Sequence, residues 1–178
     1  MYEIGDMIVY GGSSCVCRIE DITALDIKDA DKDRLYYKLK PLHQDCVIYN
    51  PVDNTTALMR PVITKYEADR LIDMIPEMDL PEVKENTNCF AEAKEIAKLY
   101  ESIIKTRDCA KLIGLTMSIY LKKQSAVKYN RKFGSVDAAA MKRAEDILFG
   151  ELSVALGIPK ENVREYIEAR INEKTANC

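Results

Sequence analysis

The apolar positions follow two rhythms along the chain, and the change falls at Arg60-Pro61. Before it, apolar residues come in short, β-branched runs broken by Gly, Asp, Asn and Pro. After it, they recur every three or four residues almost to the end. The first pattern predicts short strands and the second predicts amphipathic helices. The expected fold is therefore α+β: a small β module over residues 1–62, then a compact all-α module over residues 63–178 with about five helices.

In the β module the pattern predicts strands at 6–10, 15–22, 35–39, 46–49 and 57–59. Gly11-Gly12-Ser13-Ser14 supplies the first turn, its glycines free to take positive φ. Lys28-Asp29-Ala30-Asp31-Lys32-Asp33 reads as a charged loop. Pro41 ends the third strand by removing a ladder donor. Asn50-Pro51 and Asp53-Asn54 read as a corner. So many short strands in so few residues imply a small, strongly bent sheet or barrel.

Thr64-Lys65-Tyr66-Glu67 fits a capping box, and the helix it opens carries Ala68, Leu71, Ile72 and Ile75 inward until Pro76. Residues 76–88 read as a linker. Four helices follow. The first bears the stripe Phe90, Ala93, Ile96, Tyr100 and Ile104. Asp108 caps the second, which turns Leu112, Ile113 and Met117 inward. Residues 125–134 read as a polar connection. Ser135 caps the third helix, and Gly157 fits the position just past its end. Pro159 starts the fourth, with Val163, Tyr166 and Ile167 on its stripe.

Composition narrows the function. The chain is 47% apolar and 31% charged, ordinary for a soluble globular protein. No apolar run approaches a membrane span, and Met1-Tyr2-Glu3-Ile4-Gly5-Asp6 lacks a basic start and a long apolar core. A cytoplasmic location and no membrane partner are expected. The six cysteines match no zinc spacing, and His43 is the only histidine. Cys15 and Cys17 share one face of a strand, so they are either a soft-metal or redox pair or small core-facing hydrophobes kept reduced. The Gly11–Ser14 loop leads into another strand rather than a helix N-terminus, so it is no phosphate cradle. Glu92/Glu95 and Glu165/Glu168 read as solvated helix faces. With no nucleophile, base or ligand set in view, the expectation is a protein with no enzymatic activity, cofactor or small-molecule substrate.

Charge is unevenly distributed. Between Tyr120 and Arg143 stand seven basic residues (Lys122, Lys123, Lys128, Arg131, Lys132, Lys142, Arg143) against one acid, Asp137. The net charge is −3, so the rest of the chain carries nine more acids than bases. A local basic patch on an acidic protein points to polyanion binding, although a solvated helix face has the same composition.

The β module carries Ile4-Gly5-Asp6, Val9-Tyr10, the turn glycines, Ile19-x-x-Ile22, Tyr36-Tyr37-x-Leu39, Pro51 and Met59-Arg60-Pro61 in that order. By this pattern the chain bears a resemblance to the CarD/CdnL family of bacterial transcription regulators, which share a domain with the transcription-repair coupling factor. The resemblance continues in the helical half with Lys142-Arg143-Ala144-Glu145-Asp146-Ile147-Leu148-Phe149-Gly150-Glu151-Leu152. It implies a Tudor-like five-stranded β-barrel that binds the β subunit of RNA polymerase. It also implies a helical domain that touches promoter DNA at the upstream edge of the bubble and modulates the open complex.

Two departures stand out. The best-known members insert a Trp wedge into the minor groove from the start of the first helix after the linker, and this chain has no Trp. Phe90 lies near that place, either as a wedge or as part of its helix stripe. Well-studied members also carry a basic residue two positions before the motif proline, where this chain has Tyr49. Polymerase binding is then expected through strand addition and apolar contact at Val47, Ile48 and Tyr49. The DNA contacts are expected first at Lys142 and Arg143, then at Lys128, Arg131 and Lys132. Two rivals remain: a protein-only adaptor without DNA contact, and a metal-dependent sensor or enzyme using Cys15, Cys17 and His43.

Overall fold

The computed structural model describes residues 1–11, 15–25, 34–78 and 90–176. The turn at Gly12–Ser14, the charged loop and most of the linker named above lie outside the described residues. The chain divides into two compact units, Met1–Ile63 and Thr64–Cys178.

The first unit is a five-stranded antiparallel sheet built from β1 (Met7–Tyr10), β2 (Cys15–Ala24), β3 (Leu35–Pro41), β4 (Ile48–Pro51) and β5 (Met59–Pro61). The strand order is β4-β3-β2-β1-β5. Ile8, Cys17, Ile19, Tyr37 and Leu39 form its core, none more than 3% exposed. The register of β2 on β3 skips at Glu20, with Ile19 opposite Leu39 and Asp21 opposite Lys38. This bulge explains the Ile19-x-x-Ile22 spacing. Strict alternation would turn Ile22 outward, but one extra residue shifts the phase and returns it to the core. A bulge also sharpens strand twist, which helps the small sheet curl. The interior side chains of the two edge strands then meet: the Asn50 amide donates to the Met59 sulfur at 3.1 Å. Gly11 allows a close approach, since a Cβ there would lie 2.7 Å from the Leu58 Cβ.

Two strands sit later than the pattern predicts. The fourth is Ile48–Pro51 rather than 46–49, and the fifth is Met59–Pro61 rather than 57–59. Asn50 looks like a turn residue, yet it is 2% exposed. Its amide is satisfied inside by the Pro51 carbonyl, Met59 and Asn54. A polar side chain so satisfied is tolerated in a strand interior.

The second unit holds α1 (Lys65–Asp73), α2 (Phe90–Thr106), α3 (Cys109–Lys128), α4 (Ser135–Leu156) and α5 (Val163–Ala176). Short 3-10 turns occupy Ile75–Glu77 and Lys160–Asn162. The capping box forms: the Glu67 backbone N–H donates to Thr64 Oγ1 at 3.2 Å, and the Thr64 N–H donates to the Glu67 carboxylate at 2.7 Å. Asp108 caps α3 by accepting from the Lys111 N–H at 2.9 Å. Gly157 closes α4 at φ 68°. Ser135 does not cap α4; it is the first helical residue, and Gly134 takes the cap position without a side-chain bond.

α3 runs through the expected connection to Lys128, because residues 125–128 contain no breaker and Asn130 supplies the stop at φ 52°. α1 is tied to α5. Arg170 grips both carboxylate oxygens of Asp73 at 2.6 and 2.9 Å, and the Tyr166 hydroxyl donates to Asp69 at 2.7 Å.

Candidate functional site

The sheet has two edges, and they differ. On β4, the Val52 N–H donates to the Leu35 carbonyl at 2.9 Å, which sets the phase of the β3–β4 ladder. Antiparallel neighbours alternate between bonded and non-bonded pairs. Tyr49, opposite Lys38, falls in a non-bonded pair, so its N–H and C=O point away from β3. Among the described residues no strand pairs with that side. The side chains follow the pleat: Val47 and Tyr49 are each 42% exposed, whereas Ile48 packs against the core. Val47 stands just before the strand rather than within it.

The β5 edge is blunted. Val62 and Gly11 donate to Met7 and Leu58, which turns the backbones of Met59 and Pro61 outward. Pro61 has no N–H, and its carbonyl accepts from Arg60 at 3.1 Å. The Met59 carbonyl accepts from the Tyr2 hydroxyl at 2.9 Å. Tyr2 is held by an edge-to-face contact with Tyr37 at 5.9 Å, and partial burial raises its phenol above the ordinary value. Among the described residues the strand open to an added neighbour is thus β4.

In the helical unit the basic segment is less cationic at its surface than its composition suggests. Lys122 turns inward and pairs with Asp137 at 3.0 Å; Asp137 is fully buried and also accepts from the Tyr100 hydroxyl at 2.7 Å. Arg143 is exposed but held by Glu101 at 2.6 Å, and this contact keeps the Glu101 carboxyl below its ordinary value. Lys142 is exposed two turns into α4, beyond the reach of the helix N-terminal dipole. Lys128 stands in the last turn of α3, with Arg131 and Lys132 exposed just after it. Lys128 and Arg131 both lie over the ring of Tyr129, at 5.7 and 5.8 Å from its centroid. Phe90 is the first residue of α2, and its side chain lies outside the described residues.

Tyr129 was not singled out in the sequence, although a tyrosine with three basic residues within three positions of it, in an acid-free stretch, was a visible signal. Nor was the Lys122–Asp137 pair, which had no local signal because the partners are on different helices.

No catalytic or metal arrangement emerges among the described residues. Cys17 is buried, His43 is exposed, and the Cys15 side chain is not described. No three His, Cys, Asp or Glu side chains gather there to hold a metal. A cleft of about 470 Å³ opens in the helical unit beside Met117, Met141 and Phe149. At its rim Glu145 is paired with Arg164 at 2.6 Å. No helix among the described residues is long and apolar enough to cross a membrane.

Among the described residues the sheet thus has one blunted edge and one edge available for main-chain pairing with a partner strand. Residues 2–63 match the family model described as the CarD-like/TRCF RID domain. The N-terminal unit is a CarD-like/TRCF RID domain, an RNA polymerase-interacting type, and the match supports a transcription-related role in binding that enzyme. No curated protein matches the chain at a significant level.

Proposed function

We propose that the protein is a non-enzymatic bacterial transcription regulator. The RID domain adds the open edge of β4 to a strand of the polymerase β subunit. The helical unit lays Lys142, Lys128, Arg131 and Lys132 on promoter DNA and modulates the stability of the open complex. The observation that carries the reading is the unpaired edge at Tyr49 within a domain of the RID type. Main-chain bonds at such an edge give affinity, and the outward side chains of Val47 and Tyr49 give selectivity. No base-reading motif accompanies the cations, so DNA contact is weakly specific and falls with salt. Polymerase binding raises the local concentration of the DNA-contacting unit, so neither contact must be strong alone.

A salt titration of the full chain on a forked promoter duplex tests the DNA half. The log of affinity is expected to fall linearly with the log of salt, by roughly one unit of slope per phosphate contact. A flat response contradicts it.

The second reading, a polymerase-bound adaptor without DNA contact, is favoured by the neutralisation of Lys122 by Asp137 and Arg143 by Glu101. Flat salt dependence with retained polymerase binding selects it.

A further inference from the structure

The turn that ends α3 combines features that a merely solvated helix end does not need. Tyr129 is 61% exposed and its neighbour Val127 is 74% exposed. Two cations, Lys128 and Arg131, lie over the Tyr129 ring, and Lys132 follows. Among the described residues neither Lys128 nor Lys132 pairs with an acid. No Asp or Glu occurs anywhere from Tyr120 to Val136. In a chain of net charge −3 this is a concentrated positive patch with an aromatic ring at its centre.

The backbone beneath it is fixed. The Asn130 N–H donates to the Val127 carbonyl at 3.1 Å, and the Arg131 N–H donates to the Ala126 carbonyl at 2.7 Å. With Asn130 left-handed at φ 52°, these two bonds form a Schellman closure. Asn is among the side chains that tolerate this conformation, so the turn is held without glycine. Lys128, Tyr129 and Arg131 therefore project from a pinned turn rather than a loose loop. The helix C-terminus is itself the negative end of the dipole, so anions are drawn to the side-chain tips rather than to the helix end.

We propose that this turn is a stacking site for an unpaired nucleotide, with the Tyr129 ring as the platform for the base and Lys128 and Lys132 as contacts to the flanking phosphates. The assignment rests on the DNA contact proposed above and makes it specific: the helical unit prefers melted strand to duplex. An exposed ring such as Tyr129 reaches the face of a base only where that face is not covered by stacked neighbours. Combining aromatic platforms with cationic contacts is how proteins bind single strands without reading sequence.

The test is fluorescence anisotropy of the full chain with a labelled oligothymidine strand and with a blunt duplex of equal length. The wild type is expected to favour the single strand. Tyr129→Ala should weaken the single strand roughly ten-fold and leave the duplex nearly unchanged, because stacking is lost while charge is kept. Tyr129→Phe should retain binding. Joint Lys128→Ala and Lys132→Ala should weaken both DNAs and flatten the salt slope. Equal binding by wild type and Tyr129→Ala overturns the stacking site alone and leaves the DNA contact standing. No binding of either DNA by the wild type overturns both. Displacement of the strand by polyglutamate as readily as by unlabelled oligothymidine makes the patch a general anion surface and overturns the nucleotide assignment.

Discussion

The Lys122 ammonium lies 3.0 Å from the carboxylate of Asp137, and that carboxylate is fully buried between helices. One of the seven basic residues in the segment is thereby spent on the fold, and the only acid with it. The Tyr100 hydroxyl completes a three-helix junction at 2.7 Å from the same carboxylate, with Tyr100 on α2, Lys122 on α3 and Asp137 on α4. Removing Asp137 takes the carboxylate away from a Lys122 ammonium that is only 14% exposed. Asp137→Ala is expected to destabilise the helical unit by about 3–5 kcal/mol, read by urea unfolding. Replacing the three members together, Tyr100→Phe and Lys122→Met with Asp137→Leu, should recover most of that loss, because no buried polar group of the junction is then left without its partner. If the triple variant is no more stable than Asp137→Ala, the junction is not the cause.

The same junction makes stability sensitive to alkali. Burial, reinforced by the Asp137 hydrogen bond, holds the Tyr100 phenol far above its ordinary value. Tyr166 is shifted the same way by its bond to Asp69. Above about pH 10 the unfolded chain releases these protons and the folded chain keeps them. The folded state then binds more protons, so stability falls as pH rises. Unfolding curves on either side of that pH should show the fall, and Tyr100→Phe should make it shallower. An unchanged slope in Tyr100→Phe contradicts the assignment.

Arg143 is a latent cation. Glu101 holds it at 2.6 Å, with side chains 55% and 37% exposed, so the pair contributes little to folding. Glu101→Gln should leave the melting temperature nearly unchanged. It should tighten binding to a forked duplex at low salt and steepen the salt slope by about one unit. No change in either would mean that Arg143 faces away from the DNA.

Local chemistry was legible in the sequence, and distant partnership was not. The Thr64–Glu67 capping box joins residues three apart, so both halves of its logic appear in one turn. The bulge at Glu20 left its trace in the spacing of Ile19 and Ile22. The fourth strand was misplaced because Asn50 carries a turn-former's side chain whose satisfaction depends on Met59 and Asn54. The end of α3 was placed too early because a run of polar and basic residues resembles a loop while every residue in it still accepts helical geometry. The charge count overstated the patch for the same reason: the partners of Lys122 and Arg143 lie on other helices.

The edge at Tyr49 is the point on which the account most depends, and polymerase binding by the full chain tests it directly. Proline at Tyr49 removes the one N–H that β4 directs outward while sparing its bonds to β3, a position where an edge strand tolerates proline. Tyr49→Lys keeps the N–H and places a charge on the edge, a second way to block an added strand. The measurement is the affinity of wild type and both variants for the isolated polymerase β subunit, with circular dichroism to verify the fold. The account predicts tight binding by the wild type and a loss of roughly ten-fold or more in each folded variant, as expected when an interface main-chain bond is removed or obstructed. Absence of wild-type binding, or folded Tyr49→Pro and Tyr49→Lys proteins that bind as tightly as the wild type, would contradict it.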